Sequence, residues 1–305
     1  MRLADRLGVD RETASQTYYA CLLFYAGCTA DAETTAAIFR DPGALTKHFT
    51  PAMLGEPMEV MVGIARALAE PGGSRTASTM RVIRGLPRAV SGHREHLAAL
   101  CEVAQMLTDR LGLPAAIRGL FQYLTERWDG KGEPGRAGRE EIPVPIRIVH
   151  VARDATFQSL LGGEDYAARV IRRRSGRAFD PEVAAEVVDN PHDVLAVDAT
   201  GSAWEEVMAL EPVPRRTLAG GAIDRALAAM GDFADLVSSY LVGHASGVAQ
   251  LAEAAARRSG WREAEVAAIR RAAYLHDLGR VAVPVQIYLW RGKTRGRGSA
   301  VLRGF

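Results

Sequence analysis

The feature that most constrains this chain is a glycine set between two helical stripes. Apolar residues recur at Val248, Leu251, Ala252 and Ala255, and again at Val266, Ile269 and Ala273, with Gly260 between the two sets. That spacing marks one buried face of an α-helix on each side. Glycine is the usual residue just past a helix end, and Arg257 and Arg258 precede it where cations complement the helix dipole. Two helices joined by so short a turn pack antiparallel. The first is expected to start near Ser238 or Ser239, either of which can cap it. The second is expected to run from about Arg262 to Leu278 and to stop at Gly279. Such a hairpin carries His244, near the start of one helix, to the same end as His276 and Asp277, near the end of the other.

The remainder also reads as helical, because Ala and Leu dominate and β-branched runs are short. With 305 residues, 48% of them hydrophobic, the chain is long enough for two domains or one large one, with a real core. Gly130 to Pro145 is rich in Gly and Pro and reads as an ordered loop. A helix is expected after it, with Ile146, Val149 and Ala152 on its buried face. Breakers recur from 189 to 221, at Asn190-Pro191, Thr200-Gly201, Pro212, Pro214 and Gly220-Gly221, around a short helix near Trp204 to Leu210. This stretch is taken as the boundary between two halves.

The formal charge of +2 supplies no global drive toward nucleic acid or anionic membrane. Cys21, Cys28 and Cys101 are too few and too scattered for a disulfide framework, so reduced thiols and a cytoplasmic location are expected. Asp5, Arg6 and Asp10 interrupt any signal-peptide core. The longest apolar run, Tyr18 to Cys28, is about half of what a membrane span requires.

An internal repeat emerges when the chain is slid by 252 positions. Ala4, Arg6 and Gly8 then meet Ala256, Arg258 and Gly260, while Ala20, Leu23 and Gly27 meet Ala272, Leu275 and Gly279. Both copies read as a helix, a Gly stop, and a helix ending in Leu-x-x-x-Gly. The variable positions of that ending are His276, Asp277 and Leu278 in one copy and Phe24, Tyr25 and Ala26 in the other. One copy has polar ligands where the other has aromatic bulk.

Imidazole nitrogen and carboxylate oxygen suit iron, manganese or zinc. Adjacent His and Asp cannot point the same way on one helix, so they are expected to serve two neighbouring metals, or Asp277 to bridge a pair. A metal pair of this kind activates water and clamps a phosphate. Arg280, just past the helix end, is placed to hold a phosphate oxygen. A plain polar cap, with His276 near the negative end of the dipole, accounts for the isolated pair equally well.

Longer motifs carry a family resemblance. Ala272-Ala273-Tyr274-Leu275-His276-Asp277-Leu278-Gly279-Arg280-Val281-Ala282-Val283-Pro284 resembles the second signature of the HD superfamily of metal-dependent phosphohydrolases, and more closely its HD-GYP branch. Gly243-His244-Ala245-Ser246-Gly247-Val248-Ala249 matches the earlier His of that branch. Glu126-Arg127-Trp128-Asp129-Gly130-Lys131-Gly132-Glu133-Pro134, followed by Glu140-Glu141-Ile142-Pro143, resembles the loop that names it. Phe179-Asp180-Pro181-Glu182-Val183 resembles its closing segment. The resemblance implies an all-α, HD-domain-like helical bundle, with a degenerate HD-GYP copy at 1–188, a linker at 189–229 and the first helices of a second copy at 230–284. It further implies a divalent metal, iron or manganese, on His244, His276 and Asp277. Asp277 and Arg280 would serve catalysis of cyclic di-GMP hydrolysis in signalling, with a cyclic dinucleotide and a homodimer partner as the implied associations.

Departures from the pattern set the functional expectation. In the first copy Phe24 and Tyr25 replace His-Asp, and Leu124 and Thr125 replace the paired histidines. Glu133 replaces Tyr, Arg153 stands where a late metal-binding Asp is expected with Asp154 one place off, and the middle His falls near Leu100, with His93 and His96 nearby. The first copy therefore reads as emptied of metal. Arg280 takes the place of the usual Lys, which keeps charge but changes geometry. After Pro284 the Arg/Gly-rich stretch 285–305 matches nothing in the family and reads as a basic tail, possibly out of frame. Met1 falls inside what should be a helix pair. The expectation is a phosphodiesterase relative with weak activity or none, the alternative being a regulatory or scaffold module that binds a partner or nucleotide. Nucleic-acid binding through the tail is disfavoured, since charge is its sole support. His48, His150 and His192 suggest no second metal site, and Gly72-Gly73 and Gly162-Gly163 read as turns.

Overall fold

The computed structural model describes residues 1–30, 32–39, 42–69, 75–196 and 201–283; the tail 285–305 and Pro284 lie outside them. The described residues form helices and turns, with a single isolated bridge between Ser175 and Phe179 and no strand. The helices are α1 (Arg2–Arg6), α2 (Arg11–Leu23), α3 (Ala32–Ile38), α4 (Pro42–His48), α5 (Pro57–Ala69), α6 (Arg75–Arg110), α7 (Ala115–Leu120), α8 (Val144–Gly162), α9 (Glu164–Arg174), α10 (Pro181–Asp189), α11 (Pro191–Leu195), α12 (Ala203–Ala209), α13 (Gly221–Asp235), α14 (His244–Arg258) and α15 (Glu263–Leu275). None is long and apolar enough to cross a membrane.

The central helix is α8, which buries Ile146, Ile148, Val149, Val151 and Ala155 and packs into two cores. Ile148, Val151 and Ala155 pack with α1, α9, α10 and α11 around Leu3, Ile171, Phe179 and Val187. Ile146 and Val149 face a second core built from α2, α6 and α7, with Phe24, Leu100, Ile117, Phe121 and Leu124. Pro143 precedes α8, which begins at Val144, so Pro145, read as the end of the loop, lies in the first turn of the helix. That loop is clasped from within: the Glu126 carboxylate, 1% exposed, accepts from the Gly135 and Arg136 amides at 3.1 and 2.8 Å. The Trp128 and Asp129 amides donate to Ala178 and Arg177 at 3.1 and 2.7 Å, tying the loop to the Phe179-Asp180-Pro181 segment. Asp180 caps α10 through the Glu182 amide at 2.9 Å.

The internal repeat holds element by element. Helices α2 and α15 each have 13 residues and coincide under the 252-position shift. Gly8 and Gly260 both adopt left-handed φ, +62° and +74°. A 3₁₀ turn follows each helix, at Ala26–Thr29 and at Leu278–Ala282. Gly27 is required by close approach, since a Cβ there would fall 2.2 Å from the Leu100 Cα on α6. Its counterpart Gly279 meets nothing within 4 Å among the described residues.

Two helix boundaries differ from the sequence reading. Ser238 caps the 3₁₀ turn Ser239–Leu241, and α14 starts later, at His244, behind the left-handed Gly243. Helix α15 ends at Leu275 rather than Leu278, so Gly279 lies inside a 3₁₀ turn and is not the stop. The short helix read around Trp204 runs Ala203–Ala209, and α13 begins at Gly221, before residue 230. The connecting stretch lies on the first helices: Tyr18 Oη donates to the Val207 carbonyl at 3.0 Å, and Arg2 pairs with Glu206 at 2.7 Å.

His150, 2% exposed, donates from Nε2 to the Leu124 carbonyl at 3.0 Å. Burial pushes its imidazole from 6.5 down to about 4. The unfolded chain then takes up the proton first as pH falls. The stability gained from neutral His150 is therefore complete above about pH 6.5 and is lost down to about pH 4, roughly 3 kcal/mol in all. The melting temperature should fall steeply over that window. His150→Gln, whose amide still donates to Leu124, should flatten the fall; parallel pH profiles for both proteins would contradict this.

Candidate metal centre

The antiparallel hairpin of α14 and α15 joins its ligands as the sequence suggests. His244 Nε2 lies 3.3 Å from His276 Nε2 and 3.1 Å from Asp277 Oδ2. His276 Nε2 lies 3.0 Å from the same oxygen. One ligand atom from each residue falls within 4.8 Å of the others. The expectation that adjacent His and Asp must diverge is overturned by the early end of α15. His276 is the C-cap and Asp277 has left helical geometry at φ −112°, ψ 9°, so both side chains turn to one point.

Donor chemistry fits a cation. His276 Nδ1 donates to the Ala273 carbonyl at 2.7 Å, which leaves the Nε2 lone pair facing the cluster. Two imidazole nitrogens and a carboxylate oxygen form a set that suits iron, manganese or zinc. Arg280, expected to meet a phosphate, bonds Asp277 Oδ2 at 2.7 Å, so its guanidinium already stands at the cluster.

Sequence reading missed the supports from α13. The Asp235 carboxylate, 2% exposed, accepts from the Ala245 amide at 2.8 Å, and burial raises its pKa. Asp232 accepts from Ser246 Oγ at 2.9 Å and pairs with Arg110 at 2.6 Å. An available signal was an acid at the C-terminal end of a helix, where the dipole disfavours it.

The corresponding place in the first copy is filled. Phe24 is buried, and the Arg153 guanidinium lies 5.6 Å from the Phe24 and Tyr25 ring centres and 5.3 Å from that of Phe157. Arg153 Nε donates to Tyr25 Oη, and Nη2 donates to the Thr50 carbonyl at 2.7 Å. Burial pushes the Tyr25 phenol up to about 12 although Arg153 pulls the other way. Asp154 is wholly buried and bidentate to Arg174 at 2.8 and 2.7 Å, so it is spent elsewhere. Leu124 and Leu100 are core residues, and the side chains of His93 and His96 lie outside the described set. Among the other histidines, His192 meets Glu164 at 3.1 Å on the surface.

Two profiles, each described as HD domain, match residues 88–183 and 241–298. The chain belongs to the HD superfamily. One HD relative is the 3'3'-cGAMP-specific phosphodiesterase 3 of Vibrio cholerae serotype O1 (strain ATCC 39315 / El Tor Inaba N16961). It is 25% identical over 290 residues, which cover 93% of this chain and 62% of that protein. This HD chain therefore spans less than two thirds of that relative. The crystal structure of a cyclic GMP-AMP specific phosphodiesterase of V. cholerae shares the fold, with a TM-score of 0.55 and 22% identity, covering 93% of this chain and 76% of that one.

Removing the Tyr25 hydroxyl tests how the first HD copy is held. Tyr25→Phe leaves a buried guanidinium N–H without its acceptor, at a cost of about 1–2 kcal/mol. Its melting temperature should drop by several degrees. An unchanged melting temperature would show that the rings and the Thr50 carbonyl hold Arg153 without the Tyr25 hydroxyl.

Proposed function

We propose that the second HD copy holds a divalent metal, iron or manganese, on His244, His276 and Asp277, and that the chain is a relative of HD-GYP phosphodiesterases acting on a cyclic dinucleotide. The observation that carries this reading is the convergence of three ligand atoms within 4.8 Å at one end of the α14–α15 hairpin. A relative named for 3'3'-cGAMP supports the substrate class, and cyclic di-GMP belongs to the same class. In this reading the chain divides into a degenerate copy at 1–188, a connector at 189–229 and the ligand-bearing helices at 230–284.

Each side chain has a part in this scheme. His276 is oriented by its Nδ1 bond to the Ala273 carbonyl, with Nε2 turned to the cluster. Asp277 supplies the negative charge at the centre, and Arg280 stands beside it as a cation for a phosphate oxygen. A divalent metal bound there would supply a water of lowered pKa and polarise the phosphoryl group. Turnover is slow or nil, because the described residues give three ligands where a two-metal site takes more. The Arg153 plug favours reading the first copy as non-catalytic, a regulatory or scaffold unit.

Manganese titration followed by electron paramagnetic resonance tests the metal assignment. The wild-type chain should bind Mn²⁺ saturably, and His276→Ala and Asp277→Asn should each weaken binding at least about tenfold. A wild-type chain that binds no Mn²⁺ overturns the assignment. Bis-p-nitrophenyl phosphate should be hydrolysed slowly or not at all; rapid hydrolysis abolished by His276→Ala would overturn the slow-turnover part.

A further inference from the structure

We infer that α13 aims His244, with Asp235 and Asp232 as positioning residues, and that Arg110 makes this aim depend on the first HD copy. The inference rests on the metal reading given above and assigns the emptied copy a task.

His244 is the first residue of α14, and the residue before it, Gly243, has φ +78° and no side chain with which to cap. The opening amides of any helix need acceptors from somewhere. Here the acceptor is Asp235 Oδ2, which takes the Ala245 amide at 2.8 Å, one residue past His244. Asp232 Oδ1 takes the Ser246 hydroxyl at 2.9 Å. The cap is supplied from a neighbouring helix, and it fixes the turn that carries the ligand.

Asp235 is badly placed for its own helix. It is the last residue of α13, against the negative end of that dipole, and it is 2% exposed. A residue unfavourable on two local grounds is retained for what it does elsewhere, and the α14 amide is where it acts. Gly231 completes the arrangement. A Cβ there would fall 2.6 Å from the Tyr274 carbonyl and 2.9 Å from the Ala245 Cβ. Helix α13 therefore rests on both ligand-bearing segments, beside Ala245 and two residues ahead of His276.

The link to the first copy runs through Asp232, whose second oxygen meets Arg110 at 2.6 Å. Arg110 is the last residue of α6. Beneath this pair, Val103 and Leu107 of α6 pack on Ala229, with Phe233 of α13 and Leu236 just past its end against them. The ion pair is partly exposed and contributes little to stability alone. Its effect is directional, because the same carboxylate that holds Ser246 is held by α6.

Two readouts on the full chain test this together: hydrogen exchange of the segment 243–250 without metal, and Mn²⁺ affinity. Asp235→Ala should speed exchange in that segment and weaken Mn²⁺ about tenfold, in the range of lost outer supports to metal ligands. Asp235→Asn keeps an oxygen acceptor and should behave as wild type. Arg110→Met should weaken Mn²⁺ about twofold to fivefold, and Arg110→Lys should restore it. Unchanged exchange in Asp235→Ala overturns the inference, as does an Asn variant as impaired as the Ala variant. If the wild-type chain binds no Mn²⁺, the metal reading fails, while the exchange comparison still decides the positioning role of Asp235.

Discussion

Antiparallel packing of α14 on α15 is the constraint from which the rest of the site follows. A ligand at the first residue of one helix and two ligands at the end of the next can meet only if the helices run in opposite directions with matched lengths. Gly260 sets the reversal in left-handed geometry. Fifteen residues before it and thirteen in α15 return the chain to the same end. The early unwinding after Leu275 then lets neighbouring His276 and Asp277 face one point, which a continued helix would forbid.

The two copies fill the corresponding place differently. Both present a helix, a left-handed glycine, a second helix and a 3₁₀ turn in the same register. In the second copy the turn opens on imidazole and carboxylate, the set to which the proposed metal is assigned. In the first, a guanidinium from α8 lies among Phe24, Tyr25 and Phe157, bonded to Tyr25 and to the Thr50 carbonyl. Arg153 joins three segments by hydrogen bonds and aromatic contacts, with no ligand set needed. The Glu126 carboxylate and the Ala178 and Arg177 carbonyls hold the Gly/Pro-rich loop although Leu124 and Thr125 stand where the resemblance expects paired histidines.

Much of this was legible in the chain itself. Stripes at Val248 to Ala255 and Val266 to Ala273 give the hairpin because helical periodicity is local. The 252-position repeat is legible because Gly8 and Gly260 need the same backbone. The start of α14 was misread because Ser238 and Ser239 are good caps by type, while the acceptor used is Asp235, ten residues before Ala245 in sequence and on another helix. The divergence expected of His276 and Asp277 failed for a related reason: where a helix unwinds depends on tertiary contacts at Gly231 and Tyr274, which no local pattern records. The Arg153 cluster was half visible as a departure from a motif, but two of its three rings, Phe24 and Tyr25, come from the far end of the sequence, Tyr25 from 128 residues away.

The central claim is that two imidazoles, one from each helix at the same end of the hairpin, hold a metal together. Electron spin-echo envelope modulation of the Mn²⁺-loaded chain measures this directly, since directly bound imidazole nitrogen modulates the echo. The account predicts modulation from two histidine nitrogens in the wild-type chain, falling to one in His244→Ala. Bound Mn²⁺ with no nitrogen modulation, or modulation unchanged by His244→Ala, would place the ion elsewhere and contradict it.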